Sequence, residues 1–437
     1  MAQHPTSTSM NRRNLLQVLG LSGLGATAAC AGPGSGGGGS AASSAASAIP
    51  SGAVEGELSF AHWRAEDQQV FDDLIAKFIS ENADVSVEQN ISPSNDYQST
   101  ALQQIRGGGV GDVFTAFRGA QFVDMADAGL FADLTGLPVV ESYDAALIEP
   151  GAMGDVQYGL PYQLVFNMPV INTEILEAAG FAEPPADWDG FLAMCDAVLG
   201  QGVVPIAWPG GDPGNAGHLF NSMVMNNAPS DDMCAKIEAG EYKCTDDWFL
   251  RTLEQYAELR PYFQPNSTGT AVEPAQQLFA TGEAAMLATG SFHIAAVRAL
   301  GGTFGVGLLS PITTTAAEAK YEGIYNATFI LGVNTASEIQ PAGLAFVEFL
   351  SDPENASTYA NGTGQHLTVS GVTYENPDLE ATSDWLTRNT LLAPRFQFND
   401  LDIRNAVEST AVQVVGGAEP QQAAEDAQSI VDQRVAG

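Results

Sequence analysis

Gly56-Glu57-Leu58-Ser59-Phe60-Ala61-His62-Trp63 is followed within a few residues by Asp67 to Ser80. The first stretch alternates small or polar with apolar side chains, the period-two signature of a strand. In the second, Val70, Phe71, Leu74, Ile75 and Phe78 recur at helical spacing. The unit then repeats. Val85-Ser86-Val87-Glu88 is a second strand, and Tyr97 to Ile105 a second helix closed by Gly107-Gly108-Gly109. Asp112 to Phe117 is a third strand, and Gln121 to Ala128 a helix stopped by Gly129. Strands alternating with helices over this length predict βαβ units on a parallel sheet.

Further along, Tyr158 to Tyr162 leads into Val165 to Asn172, and Thr173 to Gly180 reads as a helix. Asp187 or Asp189 is placed to cap the helix that follows. Val203 to Trp208 is another strand, backed by the loop Gly210-Gly211-Asp212-Pro213-Gly214. Helical patterning covers His218 to Met225 and Trp248 to Leu259, and Phe304 to Leu309 and Phe329 to Val333 read as strands. Ala342 to Leu350 is an amphipathic helix ended by Asp352-Pro353, and the tail from Asp384 is mostly helical.

Upstream, Arg12-Arg13 precede an uncharged apolar run to Ala29, and Cys30 follows. This is the pattern of an export signal, and the paired arginines point to the twin-arginine route. The run is shorter than the roughly 20 residues a spanning helix needs. Thr27-Ala28-Ala29-Cys30 is similar to the lipobox of bacterial lipoproteins, which implies acylation of Cys30; an ordinary secretory signal with an incidental Cys is the plainer alternative. Residues 31–55 are almost all Gly, Ser, Ala and Pro as far as Ala53 and predict a flexible leash.

The 437 residues carry 16 Lys and Arg against 52 Asp and Glu, a formal charge of −36. A surface so acidic excludes binding to nucleic-acid phosphates and electrostatic docking on an anionic membrane. The length after the leash exceeds one compact core and predicts two domains. Cys234 and Cys244 lie in a polar, loop-like setting, and in an exported chain the pair predicts a disulfide. Cys195, on a helical pattern, is expected to be a buried small apolar residue. No His, Cys and acid spacing suggests a metal, and no cofactor is implied.

The order of these signals resembles the extracellular solute-binding proteins of sugar ABC transporters. The likeness is carried by the leading strand ending in Phe60-Ala61-His62-Trp63, by Gly129-Leu130-Phe131-Ala132-Asp133-Leu134 and by Tyr158-Gly159-Leu160-Pro161. Trp188-Asp189-Gly190-Phe191, Phe279 to Met286 and Ala345 to Leu350 continue it. The resemblance implies the α/β, two-lobed type II periplasmic-binding fold, with a hinge of crossing segments and ligand between the lobes. By that analogy residues 56–164 and 307–354 form one lobe, and 165–306 and 355–437 the other. It also implies a receptor held outside the cell membrane by lipidated Cys30, monomeric, passing a saccharide to the permease subunits of a transporter.

A saccharide cleft needs flat rings for sugar faces and paired polar groups for hydroxyls. Open α/β sheets bind ligands at the carboxyl ends of their strands. Trp63, Arg64, Glu66 and Asp67 follow the first strand, and Phe117 and Arg118 the third. Ser291-Phe292-His293 stands where relatives often carry a stacking aromatic, so Phe292 and His293 are candidates. Tyr325 and Asn326 precede the Phe329 strand, and Gln365 and His366 sit in a Gly-rich loop. Trp208 and His218 flank the loop of the second half, and Arg395 comes from the C-terminal segment. For the aromatics the plain alternative is a core position, and for each His a structural role.

A tethered glycoside hydrolase is the rival from another class. It needs two carboxylates across a cleft, and no acid on another strand end stands out as partner to Glu66 or Asp67. The same fold binding a different solute, such as a peptide, is the third reading.

Overall fold

The computed structural model describes residues 49–436. The leader with Arg12, Arg13 and Cys30, and the leash up to residue 48, lie outside the described residues.

Among the described residues thirteen strands are arranged as two mixed sheets and a small hairpin. In chain order the first five strands are β1 (Gly56–His62), β2 (Val85–Ile91), β3 (Val113–Ala116) and the hairpin β4 (Ala152–Met153) with β5 (Val156–Gln157). Next come β6 (Leu160–Phe166), β7 (Val170–Asn172), β8 (Val204–Ala207), β9 (Ala284–Leu287) and β10 (Val306–Leu308). The long β11 (Gly323–Val333) is followed by the short β12 (His366–Leu367) and β13 (Thr390–Leu392). The first sheet has the order β12-β6-β11-β3-β1-β2, with β13 on β11, and the second β10-β7-β9-β8.

The predicted βαβ start is present: β1 lies parallel to both β2 and β3. The connecting helix Gln68–Glu81 buries Phe71, Leu74, Ile75 and Phe78, the face set by their spacing. The rest of the sheet is mixed: β11 runs antiparallel to β3 and β6, β6 antiparallel to β12, and β13 parallel to β11.

Two apolar cores correspond to the two sheets. Leu58, Phe60, Phe114, Tyr162, Phe329 and Phe346 belong to one; Trp208, Phe220, Tyr256, Met286 and Val407 belong to the other. β6 and β11 connect them. Leu160 and Tyr162 of β6 pack in the first core and Phe166 in the second, while β11 enters with Ile324 in the second and continues with Phe329 in the first. Along β6 the chain changes core between Tyr162 and Phe166, and its later changes lie beyond residues 307 and 354. Residue 307 is in β10, which pairs with β7 in the second sheet, so the return waits for β11. The helix Pro353–Thr363 keeps Ala356, Tyr359 and Ala360 in the first core, and the chain stays there to Leu379.

Asp187, not Asp189, caps the helix Trp188–Gly200, accepting from Gly190 N at 2.8 Å. Cys195 is buried on that helix. The expected disulfide is corrected: Cys234 and Cys244 are free and buried. Burial pushes both thiols up, Cys244 to about 12, with nearby acids adding to it, so the reactive thiolate is suppressed. Among the described residues no helix is long and apolar enough to cross a membrane, and no cluster of His, Cys, Asp or Glu is set to hold a metal.

Candidate functional site

A cavity of about 650 Å³ opens between the two cores, beside the crossing strands. One wall is the loop after β1, the start of the helix Ser94–Arg106 and the end of β3. The other wall is the helix Pro213–Asn227, the turn Ser291–His293, and the C-terminal segment from Arg395 to Arg404. Gln163, Val165, Asn326 and Thr328, on β6 and β11, form the floor.

On the first wall, Trp63 stacks on Phe117 with ring centroids 3.7 Å apart and an 18° tilt. Phe329 meets the same indole edge-on at 5.0 Å. Arg64 is buried and held rigidly. Its Nε and Nη2 donate to the two oxygens of Asp67, at 2.7 and 2.9 Å, and Nη1 pairs with Glu66 at 2.9 Å. Burial opposes this charge, but Asp67 and then Glu66 outweigh it and hold the guanidinium above its ordinary pKa. His62, behind it, accepts from Arg64 N on Nδ1 and donates from Nε2 to Gln89. Burial pushes His62 down to about 4, so it is neutral.

The second wall carries Phe292, 5.3 Å from the His218 ring. Arg395 donates from Nη1 to His218 Nε2 at 3.0 Å and to Gly214 O at 2.8 Å, and from Nη2 to Glu408 at 3.2 Å. Burial, then Arg395, keeps His218 well below its usual pKa, a neutral acceptor. His293 is pushed down to about 3 by burial and then by Arg64.

The walls also meet. Arg404 Nη2 donates to Gln98 at 3.2 Å, Asn95 Nδ2 to Asp212 at 3.4 Å, and Arg64 Nη1 reaches Phe292 O at 3.5 Å. Several polar atoms around the cavity are buried with no hydrogen-bond partner among the described residues: Asn167 Oδ1, Asn326 Oδ1, Thr328 Oγ1 and His293 Nδ1. A protein does not leave such groups unpaired without cause.

The structure brings Trp63, Arg64, Glu66, Phe117, His218, Phe292, His293, Asn326 and Arg395 to this one cavity. It takes six other candidates away from it. Asp67 is fully buried behind Arg64, where Tyr359 also donates to it. Arg118 turns aside to Glu149 at 3.4 Å. Trp208 is a core residue, its Nε1 donating to Ala216 O at 3.0 Å and its ring against Phe263. Tyr325 alternates with Asn326 along β11 and packs on the second core instead. Gln365 and His366 are buried where β12 pairs with β6, and His366 Nε2 meets Thr382 at 3.0 Å.

Sequence reasoning missed Gln163 and Asn167, although two amides in and after the otherwise apolar Leu160–Phe166 are a signal. Gln98, Asp212, Gln276 and Arg404 carried no local sign; tertiary packing alone delivers them.

The family profile described as bacterial extracellular solute-binding protein matches residues 63–357. The chain belongs to this family. A probable sugar-binding periplasmic protein of Brucella suis is 30% identical over 99 residues, 23% of each chain. One of Mesorhizobium japonicum is 26% identical over 211 residues, 46% of this chain and 50% of the other, so the match spans half or less of these curated relatives. The solved structure of RafE in complex with raffinose superposes with a TM-score of 0.75 at 16% identity, covering 87% of this chain and 100% of that one. The apo-form of RafE, from Streptococcus pneumoniae, gives 0.72. This solute-binding protein therefore shares the two-lobed architecture of those structures.

Proposed function

We propose that the chain is a non-catalytic extracytoplasmic receptor that binds a saccharide in the 650 Å³ cavity and hands it to an ABC transporter. The observation that carries this reading is the pairing of a half-buried aromatic ring on one wall, Phe292, with the unpartnered amide and hydroxyl groups of Asn326 and Thr328 on the floor strand. Sugars offer apolar C–H faces and hydroxyl edges, the complement of that lining. RafE's bound raffinose and the sugar-binding names of the relatives support the same class. The leader and Cys30 support export and lipid anchoring, the acidic surface disfavours nucleic acid, and the reading has a monomer docking on permease subunits.

Closure of the walls on the guest is a hinge motion about β6 and β11, in which ligand stabilises one of two states. Of the carboxylates lining the cavity, Glu66 pairs with Arg64 and Asp212 caps the helix Pro213–Asn227, while Glu273 stands exposed at the rim. Glu273 thus has no second free acid facing it among the described lining residues, and hydrolysis, which needs two, is not favoured.

A panel of mono-, di- and trisaccharides, added to the purified chain, tests this by thermal shift and intrinsic tryptophan fluorescence. At 100 times Kd the stabilisation expected is about 2.7 kcal/mol, with a change in Trp63 emission. If no sugar moves either signal, or if reducing sugar is released catalytically, the receptor reading fails.

A further inference from the structure

Two buried guanidiniums share one carboxylate on the second wall. Arg395 and Arg404 are both almost wholly buried, and both line the cavity. Between them lies Glu408, 3.2 Å from Arg395 Nη2 and 4.0 Å from Arg404 Nε. That carboxylate is further occupied by Asn221, whose Nδ2 donates to Oε1 at 2.7 Å. The Nε atoms of both arginines are buried and have no hydrogen-bond partner among the described residues. Arg404 makes its contacts through Nη2, to the neutral amides of Gln98 and Asn405.

The other charges around the cavity do not make up the deficit. Glu66 is taken by Arg64 on the far wall. Asp212 caps a helix by accepting from Gly214 N at 3.1 Å. Glu273 stands exposed at the rim. Burial, followed by repulsion from Arg395, draws Arg404 down to about 10, the mark of a buried charge short of counter-charge. A buried charge without a partner is costly, and an arginine fork is matched in shape to a carboxylate.

We infer that the guest is an acidic saccharide, whose uronic-acid carboxylate seats against Arg404 and Arg395. The inference rests on the receptor reading and narrows it. In so acidic a chain, a pair of under-compensated arginines in a cavity between the two cores selects for an anion that the surface repels.

The test uses calorimetry on the full mature chain with matched pairs: galactose and galacturonate, glucose and glucuronate, and the dimers of each. The readout is the ratio of uronate to neutral-sugar affinity within each variant, so a general loss of folding cancels. The expected ratio is tenfold or more in the wild-type chain. It should fall at least fivefold in Arg404→Gln and be largely restored in Arg404→Lys, which keeps the charge; circular dichroism verifies folding. Neutral sugars binding as tightly as their uronates would overturn the inference while leaving the receptor reading intact. An unchanged ratio in Arg404→Gln, or equal binding of free acetate or sulfate, overturns it too. If neither class of sugar binds, both readings fall together.

Discussion

Arg64 shows what a single buried charge requires. Asp67 takes two of its N–H groups, Glu66 a third, and Tyr359 and Gln163 complete the hydrogen bonding around Asp67. Such a network is weak as a source of net stability, because the desolvation of both charges offsets their attraction. Its consequence is positional: the guanidinium is locked at the end of β1, pointing across the cleft to the Phe292 carbonyl. Removing one partner is a different matter from removing both. Asp67→Asn leaves Arg64 buried with only the half-exposed Glu66 as counter-charge. The expected cost is about 3–5 kcal/mol, read as a lower midpoint in urea unfolding with an unchanged slope. An Asp67→Asn chain as stable as wild type would show that Glu66 alone neutralises Arg64.

Among the elements, β11 carries most of the architecture. It pairs with β3, β6 and β13 and passes from one core to the other. Within it Phe329 has φ +54°, a left-handed conformation that costs a non-glycine residue roughly 1–2 kcal/mol. The kink is stabilised by what it does to the ring, which packs edge-on to Trp63 and within 6.5 Å of Phe60 and Phe71. Phe329 thus holds up the indole from beneath. Phe329→Ala removes a fully buried ring without relieving the backbone, and the expected loss is about 3–5 kcal/mol in denaturant unfolding, with a shift in Trp63 emission. A loss below 1 kcal/mol would show that the site collapses around the cavity. Beyond the strand at Phe329 to Val333, none of this was legible in the sequence. Periodicity gave β1 to β3 and their helices, because a half-buried element must alternate and the alternation is written locally. Strand ends gave Trp63, Arg64 and Phe117, whereas Asn326, expected ahead of a strand, lies within β11. The buried loop at Gln365–His366 and the core position of Trp208 were misread, since a Gly-rich loop and a strand end look alike whether they face water or a neighbouring element. Arg404 was invisible for the same reason: it reaches the cleft through the packing of a C-terminal helix onto Pro213–Asn227.

At the scale of the molecule, buried histidines tie folding to pH. His62 and His366 are both pushed down to about 4 in the fold, by burial above all. In the unfolded chain they titrate near the ordinary 6.5. Above about pH 6.5 both states are neutral and no stability is lost. As pH falls below that value the unfolded chain takes up protons that the fold refuses, and stability drops until the folded pKa near 4 is reached. The slope approaches roughly 1.4 kcal/mol per pH unit for each histidine. His218, also held well below its usual value, acts in the same direction. The formal charge of −36 works the opposite way, because acid relieves self-repulsion. The informative quantity is therefore the difference between two chains of nearly equal charge. Between pH 6.5 and 4.5 the Tm of wild type should fall more steeply than that of His366→Gln, whose amide can still meet Thr382. Parallel profiles would mean that His366 titrates alike in both states, and that burial at the β12 edge does not exclude its proton.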